Sequence, residues 1–346
     1  MRAICIQPPL VQLNAPYPAV WYLDAWLRSR GVDSRAEDHS IAMARRVFSR
    51  AGLETVFAAA RDALRGRQHP DDETARRIGA YFDDEAAYLA CVEPMTAFLS
   101  GDDPAYAYRI AVGSGLPAGM RAEAVFGDGI GPDDARAFAT ATLNDLSDFI
   151  AYALDPSFGT VRYAERLAAS APAFEPIRKA AHDGWILREF YRPLARESMA
   201  RLKGSLSGDD DEALVLITVP FPGCLAGAIV AAEEARAAFG DRATIVAGGG
   251  YVSTELRFLT DPAPFDAFDY LAYDAGYGAL ASILDVVDGA PRSSLYRVRY
   301  RDEEGRVVAA GFPADEPRSG ATSSGAAGTA PAPAGTASAP ADSSKA

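Results

Sequence analysis

The chain has 346 residues, of which 49% are hydrophobic and 23% charged, and its formal net charge is -13. This composition is that of an ordinary globular protein, long enough for one large domain or two smaller ones. The acidic balance argues against nucleic acid and anionic membrane surfaces as partners, because both repel a negatively charged protein.

The sequence shows neither a membrane span nor a secretory leader. No apolar run approaches the about 20 residues that a membrane helix needs, and the opening MRAICIQPPL enters a strand-like segment without a cleavage pattern. Cys5, Cys91 and Cys224 lie far apart and match neither a CxxC pair nor a zinc spacing. Unpaired cysteines fit a reducing compartment, so we predict a cytoplasmic protein.

Residues 1–40 carry the pattern of a βαβ unit. An apolar run over 2–7 predicts a buried strand, apolar residues at helical spacing over 18–30 predict a helix, and 32–38 predict a weaker strand. We assign this stretch to the first part of a Rossmann-like domain.

Residues 41–200 differ in composition, being rich in Ala, Arg, Glu and Asp with helical periodicity. The predicted helices cover 41–50, 53–65, 73–100, 133–153, 161–170 and 183–202. Residues 101–132 are rich in Gly and Pro and predict a loop. We interpret the whole segment as a large helical insertion.

The α/β pattern returns over residues 201–290. The predicted elements are strands over 213–219, 243–247 and 268–273 and helices over 224–239 and 280–287. The run ALVLITV is continuously apolar, as expected of a strand that is covered on both faces. Strands that alternate with helices predict a parallel sheet, so the expected class is α/β, Rossmann-like.

Residues 291–318 predict a β-hairpin and a linker, because Tyr296, Val298 and Tyr300 alternate with arginines and Glu304-Gly305 supplies the turn. Residues 319–346 consist almost entirely of Ala, Gly, Ser, Thr and Pro. This composition cannot bury a core and predicts a disordered tail.

Ligands of an open parallel sheet bind beyond the carboxyl ends of its strands. The loops predicted there supply the candidate ligand contacts: Gln7, Pro8, Pro9, Thr218, Pro220, Phe221, Pro222, Gly223, Gly248, Gly249, Gly250, Tyr251, Asp274 and Gly276. Glycines let backbone N–H groups come close to a flat ligand or a phosphate, and a proline-rich loop forms a stiff apolar wall. The pattern suits a large amphipathic cofactor with a nucleotide tail, but the spacing alone favours plain tight turns somewhat more.

No standard nucleotide fingerprint accompanies these loops. IQPPLV stands after the first strand in place of GxGxxG, and no Walker GxxxxGK[ST] motif occurs. A different nucleotide-binding Rossmann enzyme is therefore a weaker alternative, for which the sequence offers no general base or nucleophile.

Several segments resemble the N-terminal cobalamin-binding region of B12-binding radical SAM proteins. The segments that carry the resemblance are VPFPG at 219–223, GGGYVSTELR at 248–257, LDPSFG at 154–159 and RYAE at 162–165, with QPP at 7–9 and the stretch 42–57. The likeness covers about residues 1–312, and the GGGYVSTELR match is its most specific part.

The resemblance implies a cobalamin domain followed by a radical SAM barrel, with cobalamin bound base-off and without a protein histidine ligand. In that family the barrel carries CxxxCxxC, whose thiolates hold a [4Fe–4S] cluster that binds SAM. The motif is absent here, since no two cysteines lie within four residues of each other. We therefore expect the cobalamin-binding module of a radical SAM methyltransferase-like system, unable to cleave SAM alone, with the cluster and SAM on a separate radical SAM protein. The alternatives are a non-catalytic partner of such an enzyme and a degenerate truncated remnant.

Two details bear on the expected contacts. The family tends to carry an Asp-Asp-Gly-Glu type sequence in the last loop, whereas this chain has Asp274-Ala275-Gly276-Tyr277. His39 lies in EDHSIA, which departs from the cobalt-ligating DxHxxG pattern, so we expect it to be a surface or capping histidine.

Overall fold

The computed structural model describes residues 1–13, 15–113, 115–117, 119–126, 130–159, 162–163, 174–206, 208 and 212–313. The strands are β1 (Arg2–Gln7), β2 (Asp33–Asp38), β3 (Phe158–Gly159), β4 (Arg162–Tyr163), β5 (Ala213–Thr218), β6 (Ala243–Gly248), β7 (Tyr270–Ala272), β8 (Val298–Arg301) and β9 (Val307–Ala310). The helices are α1 (Ala19–Ser29), α2 (His39–Val47), α3 (Arg50–Leu64), α4 (Asp72–Asp83), α5 (Glu85–Ser100), α6 (Tyr106–Ala111), α7 (Met120–Phe126), α8 (Ala135–Ala153), α9 (Glu175–Asp183), α10 (Arg192–Ser205), α11 (Leu225–Phe239), α12 (Gly250–Thr254) and α13 (Tyr277–Val287). A π-helical turn, Leu187–Tyr191, leads directly into α10.

A seven-stranded sheet forms the centre of the protein, in the order β2-β1-β5-β6-β7-β8-β9. The first five strands are parallel, and the hairpin of β8 and β9 adds to β7 in antiparallel fashion. The predicted α/β class with a mostly parallel sheet is therefore confirmed. Numbered along the chain, the parallel strands run 2-1-3-4-5, an order that places a topological switch point between β1 and β5.

Each face of the sheet carries its own core, because successive side chains of a strand point to opposite faces. On one face Ile4 and Ile6 pack with the helical layer, and on the other Ala3 and Cys5 pack beneath α1 and α13. Burying an aliphatic side chain of this size contributes about 1.5–3 kcal/mol. Covering on both faces explains why β1 and β5 are continuously apolar.

The segment 41–200 is largely helical where it is described, as predicted, but its divisions differ. The helix predicted over 73–100 is two helices that meet at Asp84. The region 101–132, predicted as a loop, contains α6 and α7. Buried Tyr106 and Ile110 explain α6, since they lie one helical turn apart and tertiary burial overrides the local Gly and Pro signals.

Two further helix predictions need correction. Within the helix predicted over 161–170, Arg162–Tyr163 is a short strand paired with Phe158–Gly159, and the rest lies outside the described residues. The helix predicted over 183–202 begins instead at a π-helical turn, since α9 already ends at Asp183 before Gly184.

The hairpin is part of the sheet. Leu271 of β7 pairs with Arg299 of β8, and Val298 is fully buried in the core beneath α13. The tail predicted to be disordered lies outside the described residues. Among the helices of the described ranges, none is both long and apolar enough to cross a bilayer.

Candidate functional site at the carboxyl edge of the sheet

A cavity of about 230 Å³ lies at the carboxyl ends of β5, β6 and β7, on the face covered by α1 and α13. Five residues predicted from the sequence line it: Thr218, Gly248, Gly249, Asp274 and Gly276. Pockets that enclose a drug-sized ligand measure about 300–1,000 Å³. The cavity is therefore smaller than a pocket that encloses a whole drug-sized ligand.

The loop after β1 approaches the switch point from the other side. Pro8 and Pro9 are buried, and a Cβ on Gly227 of α11 would lie 3.0 Å from the Pro9 ring, which shows how closely that helix packs on the loop. Leu10 has a φ of 110°, an outlier for a bulky residue, and its carbonyl accepts a hydrogen bond from the Cys224 thiol at 3.5 Å. Pro9 thus packs beneath α11, and neither proline is among the cavity walls, so their predicted ligand contact stays a prediction.

The loop after β5 forms a partly exposed apolar surface beside the cavity. Phe221 is 47% exposed and meets the Tyr17 ring edge-on, with centroids 5.8 Å apart. Pro220 and Pro222 are half-buried on either side of it, and Gly223 is buried in the turn that precedes α11. These residues form an apolar surface but do not line the cavity, so their predicted role as a wall for a ligand stays a prediction.

Two residues of the triple glycine, Gly249 and Gly250, lie too close to neighbouring backbone atoms to accommodate a side chain. Gly249 has a φ of 103°, and a Cβ there would lie 2.9 Å from both the backbone N and O of Val219. Gly250 would bring its Cβ to 3.0 Å from the Pro220 carbonyl oxygen. Tyr251 donates its backbone N–H to Val219 O at 3.0 Å, and its side chain is buried. Gly249 and Gly250 allow the loops after β5 and β6 to pack closely against each other. This packing accounts for both glycines, so their predicted close approach to a ligand stays a prediction.

Asp274, in the loop after β7, links segments that are distant in the sequence. It has a φ of 61°, and its carboxylate pairs with Arg257 at 2.8 Å and with Arg297 at 3.2 Å. Its backbone N–H donates to the Ser253 hydroxyl at 2.9 Å. The two arginines balance the charge that Asp274 brings to the cavity wall.

Gly276 is the glycine that leaves space at the cavity. Its φ is 78°, and a Cβ added there would meet no atom within 4 Å. Because Gly276 lines the cavity, its missing side chain keeps room for an incoming group.

Two tyrosines line the cavity on the side of α1 and α13. Tyr22 and Tyr277 line it and are 62% and 39% exposed, and Trp26 packs against Tyr277 with ring centroids 5.7 Å apart. Exposed aromatic faces suit stacking with a flat ligand. Neither tyrosine is among the ligand contacts that the sequence predicts. Both lie in the first turns of the helices that follow β1 and β7, and this position is the sequence signal that could have identified them.

His39 is not the surface or capping residue that the sequence predicts. It is 1% exposed, with Nε2 3.1 Å from Glu37 Oε2 and Nδ1 3.2 Å from the Tyr191 hydroxyl. Tyr191 belongs to the π-helical turn, which covers the histidine, and Asp38 supplies the helix cap instead. Both ring nitrogens are therefore engaged within the protein.

The described residues contain no group of three or more His, Cys, Asp or Glu side chains arranged to hold a metal ion. The three cysteines are buried and separate, and burial raises the pKa of Cys5 to about 12 and that of Cys91 to about 11. Of the other segments that carry the resemblance, LDPSFG lies in the helical layer. There the buried Asp155 carboxylate accepts the Ile186 backbone N–H at 3.0 Å.

Comparisons of the chain with family models, with curated proteins and with solved structures give no match. The geometry at the carboxyl edge, together with the sequence segments that form it, is therefore the basis for assigning a function.

Proposed function

We propose that this chain binds cobalamin across the carboxyl edge of its sheet, as the cofactor module of a radical SAM methyltransferase-like system. The observation that carries the proposal is the cavity beside the switch point, whose walls include residues of the loops picked out by the resemblance. The strand order supports it, because doubly wound sheets bind cofactors at this point.

The shape and chemistry of the edge fit a large flat cofactor. The cavity of about 230 Å³ takes one arm of such a molecule between Thr218, Gly249 and Gly276. The exposed rings of Tyr22 and Phe221 provide apolar surface for the macrocycle outside it. Bound cobalamin supplies organometallic methyl-transfer chemistry, and this chain's own residues bind and orient the cofactor.

The decisive experiment is a titration of the purified chain with hydroxocobalamin, followed by desalting and a visible spectrum. We expect about one retained corrin per chain, the occupancy of a single site, with the spectrum of the base-off form. A folded chain, verified by circular dichroism, that retains no corrin would contradict the proposal and favour the partner or remnant interpretation.

The proposed system also needs a radical SAM protein on a second polypeptide. Co-purification of this chain with a protein that carries CxxxCxxC would support a shared complex. The corrin titration stays the primary test, because such a complex is also expected of a non-catalytic partner.

A further inference from the structure

Gln7, the last residue of β1, carries a buried acceptor that no group in the described part of the chain satisfies. The residue is 1% exposed; its Nε2 donates to the Pro8 carbonyl at 3.2 Å, and its Oε1 has no hydrogen-bond partner. Among the side chains that the structure describes, the other two buried atoms without a partner are guanidinium Nε atoms, so Gln7 Oε1 is the one acceptor. Buried polar groups are nearly always paired, so this exception needs an explanation.

The pairing of β1 with β5 places Gln7 beside a residue of the cavity wall. Ala3 and Cys5 lie in the core beneath α1 and α13, and strand alternation puts Gln7 on that same face. Ile6 pairs with Ile217, so Gln7 lies beside Thr218, which lines the cavity. Gln7 itself is not among the lining residues, so its unpaired acceptor lies one strand from the cavity wall that Thr218 forms, at the β1–β5 switch point.

We infer that Gln7 Oε1 accepts a hydrogen bond from a neutral N–H donor of the ligand, namely a carboxamide arm of the corrin. This inference rests on the proposed function and deepens it by naming the group that enters the cavity. A phosphate or carboxylate carries no proton to donate and would set its negative charge against the amide oxygen. A carboxamide matches the neutral acceptor and completes its pairing.

The test compares Gln7→Met, which keeps the side-chain length and removes the acceptor, with wild type. Affinities for cobalamin and for cobinamide, which keeps the corrin carboxamides but lacks the nucleotide tail, are measured by spectral titration. We expect Gln7→Met to bind both corrins about 10- to 100-fold more weakly, because an unmatched donor on the ligand is then buried. Gln12→Met, the same change at an exposed position of the same loop, is the matched control and should bind like wild type.

The melting temperature of the ligand-free variant provides an independent readout. Both Gln7→Met and Gln7→Leu lose the hydrogen bond from Nε2 to the Pro8 carbonyl, but they also remove the unsatisfied buried oxygen. Because the two changes offset each other, the melting temperature of both variants should stay within about two degrees of wild type. A fall of several degrees in both variants would show that Gln7 is structural and would overturn the inference. Unchanged affinity in the variants, or a loss for cobalamin that is absent for cobinamide, would overturn the carboxamide assignment. Failure of wild type to retain either corrin would instead reject the proposed function.

Discussion

Gly276 and Gly289 offer a matched pair of positions for testing the cavity. Both have positive φ, and a Cβ at either would meet no atom within 4 Å, but only Gly276 lines the cavity. We expect Gly276→Val to weaken cobalamin binding at least about 10-fold by filling the space for the inserted arm. Spectral titration of both variants checks this, and equal affinities would place the ligand elsewhere.

A substitution at Gly249 is expected to act through stability. An alanine there combines a φ of 103° with a Cβ 2.9 Å from the Val219 backbone, so the free energy of unfolding should fall by about 2 kcal/mol or more. Gly79→Ala is the control, because Gly79 lies within α4 with open space around its Cβ position. In urea unfolding the control should be neutral or gain up to about 1 kcal/mol. A stable Gly249→Ala protein would show that the loop can relax.

At the scale of elements, the hairpin can be tested as a member of the core. Val298 of β8 is 0% exposed, whereas Val307 of β9 is only half-buried. Val298→Ala should lower the free energy of unfolding by about 2 kcal/mol, and Val307→Ala by less than about 1 kcal/mol. Equal small effects in urea unfolding would mean that the hairpin is a peripheral linker.

The elements that the sequence predicts best are those whose environment is uniform along their length. β1 and β5 appear within one residue of their predicted bounds, and the hairpin strands lie within the segment predicted for them, because burial on both faces or strict alternation leaves a local signature. The break at Asp84 and the helix Tyr106–Ala111 were missed, because they depend on which residues the surrounding helices bury.

In the candidate site, too, the features encoded locally were predicted and those that depend on distant segments were not. Its place at the carboxyl edge and five of its wall residues follow from loop positions in a parallel sheet. The pairing of Asp274 with Arg257 and Arg297, and the packing of Gly249 on Val219, join loops whose mutual geometry no local pattern encodes.

At the scale of the whole molecule, Glu37 makes the free energy of unfolding depend on pH. Burial raises its pKa, but hydrogen bonds from His39 and Ser198 and the charge of Arg201 outweigh burial and lower the pKa from 4.5 to about 2. A carboxylate whose pKa is lowered by folding contributes stability above the unfolded pKa. This contribution is lost as the pH falls from about 4.5 toward 2.

Comparing wild type with Glu37→Gln isolates this effect. At pH 7 the variant should be less stable by about 2 kcal/mol, because His39 and Arg201 lose a charged acceptor. The difference should shrink as the pH is lowered through the same window, in urea unfolding at several pH values. A difference that is constant with pH would show that the charge of Glu37 is not the source.

The pairing of β1 with β5 also has a consequence for how the protein is made. Arg2 lies beside Ala213 in the sheet, so the ribosome must synthesise the whole helical insertion before β1 gains its second neighbour. Until then one edge of an apolar strand has only unpaired backbone groups, which invite association with other nascent chains. Folding that waits for such distant contacts is slow. We therefore expect refolding from urea to lose yield as protein concentration rises.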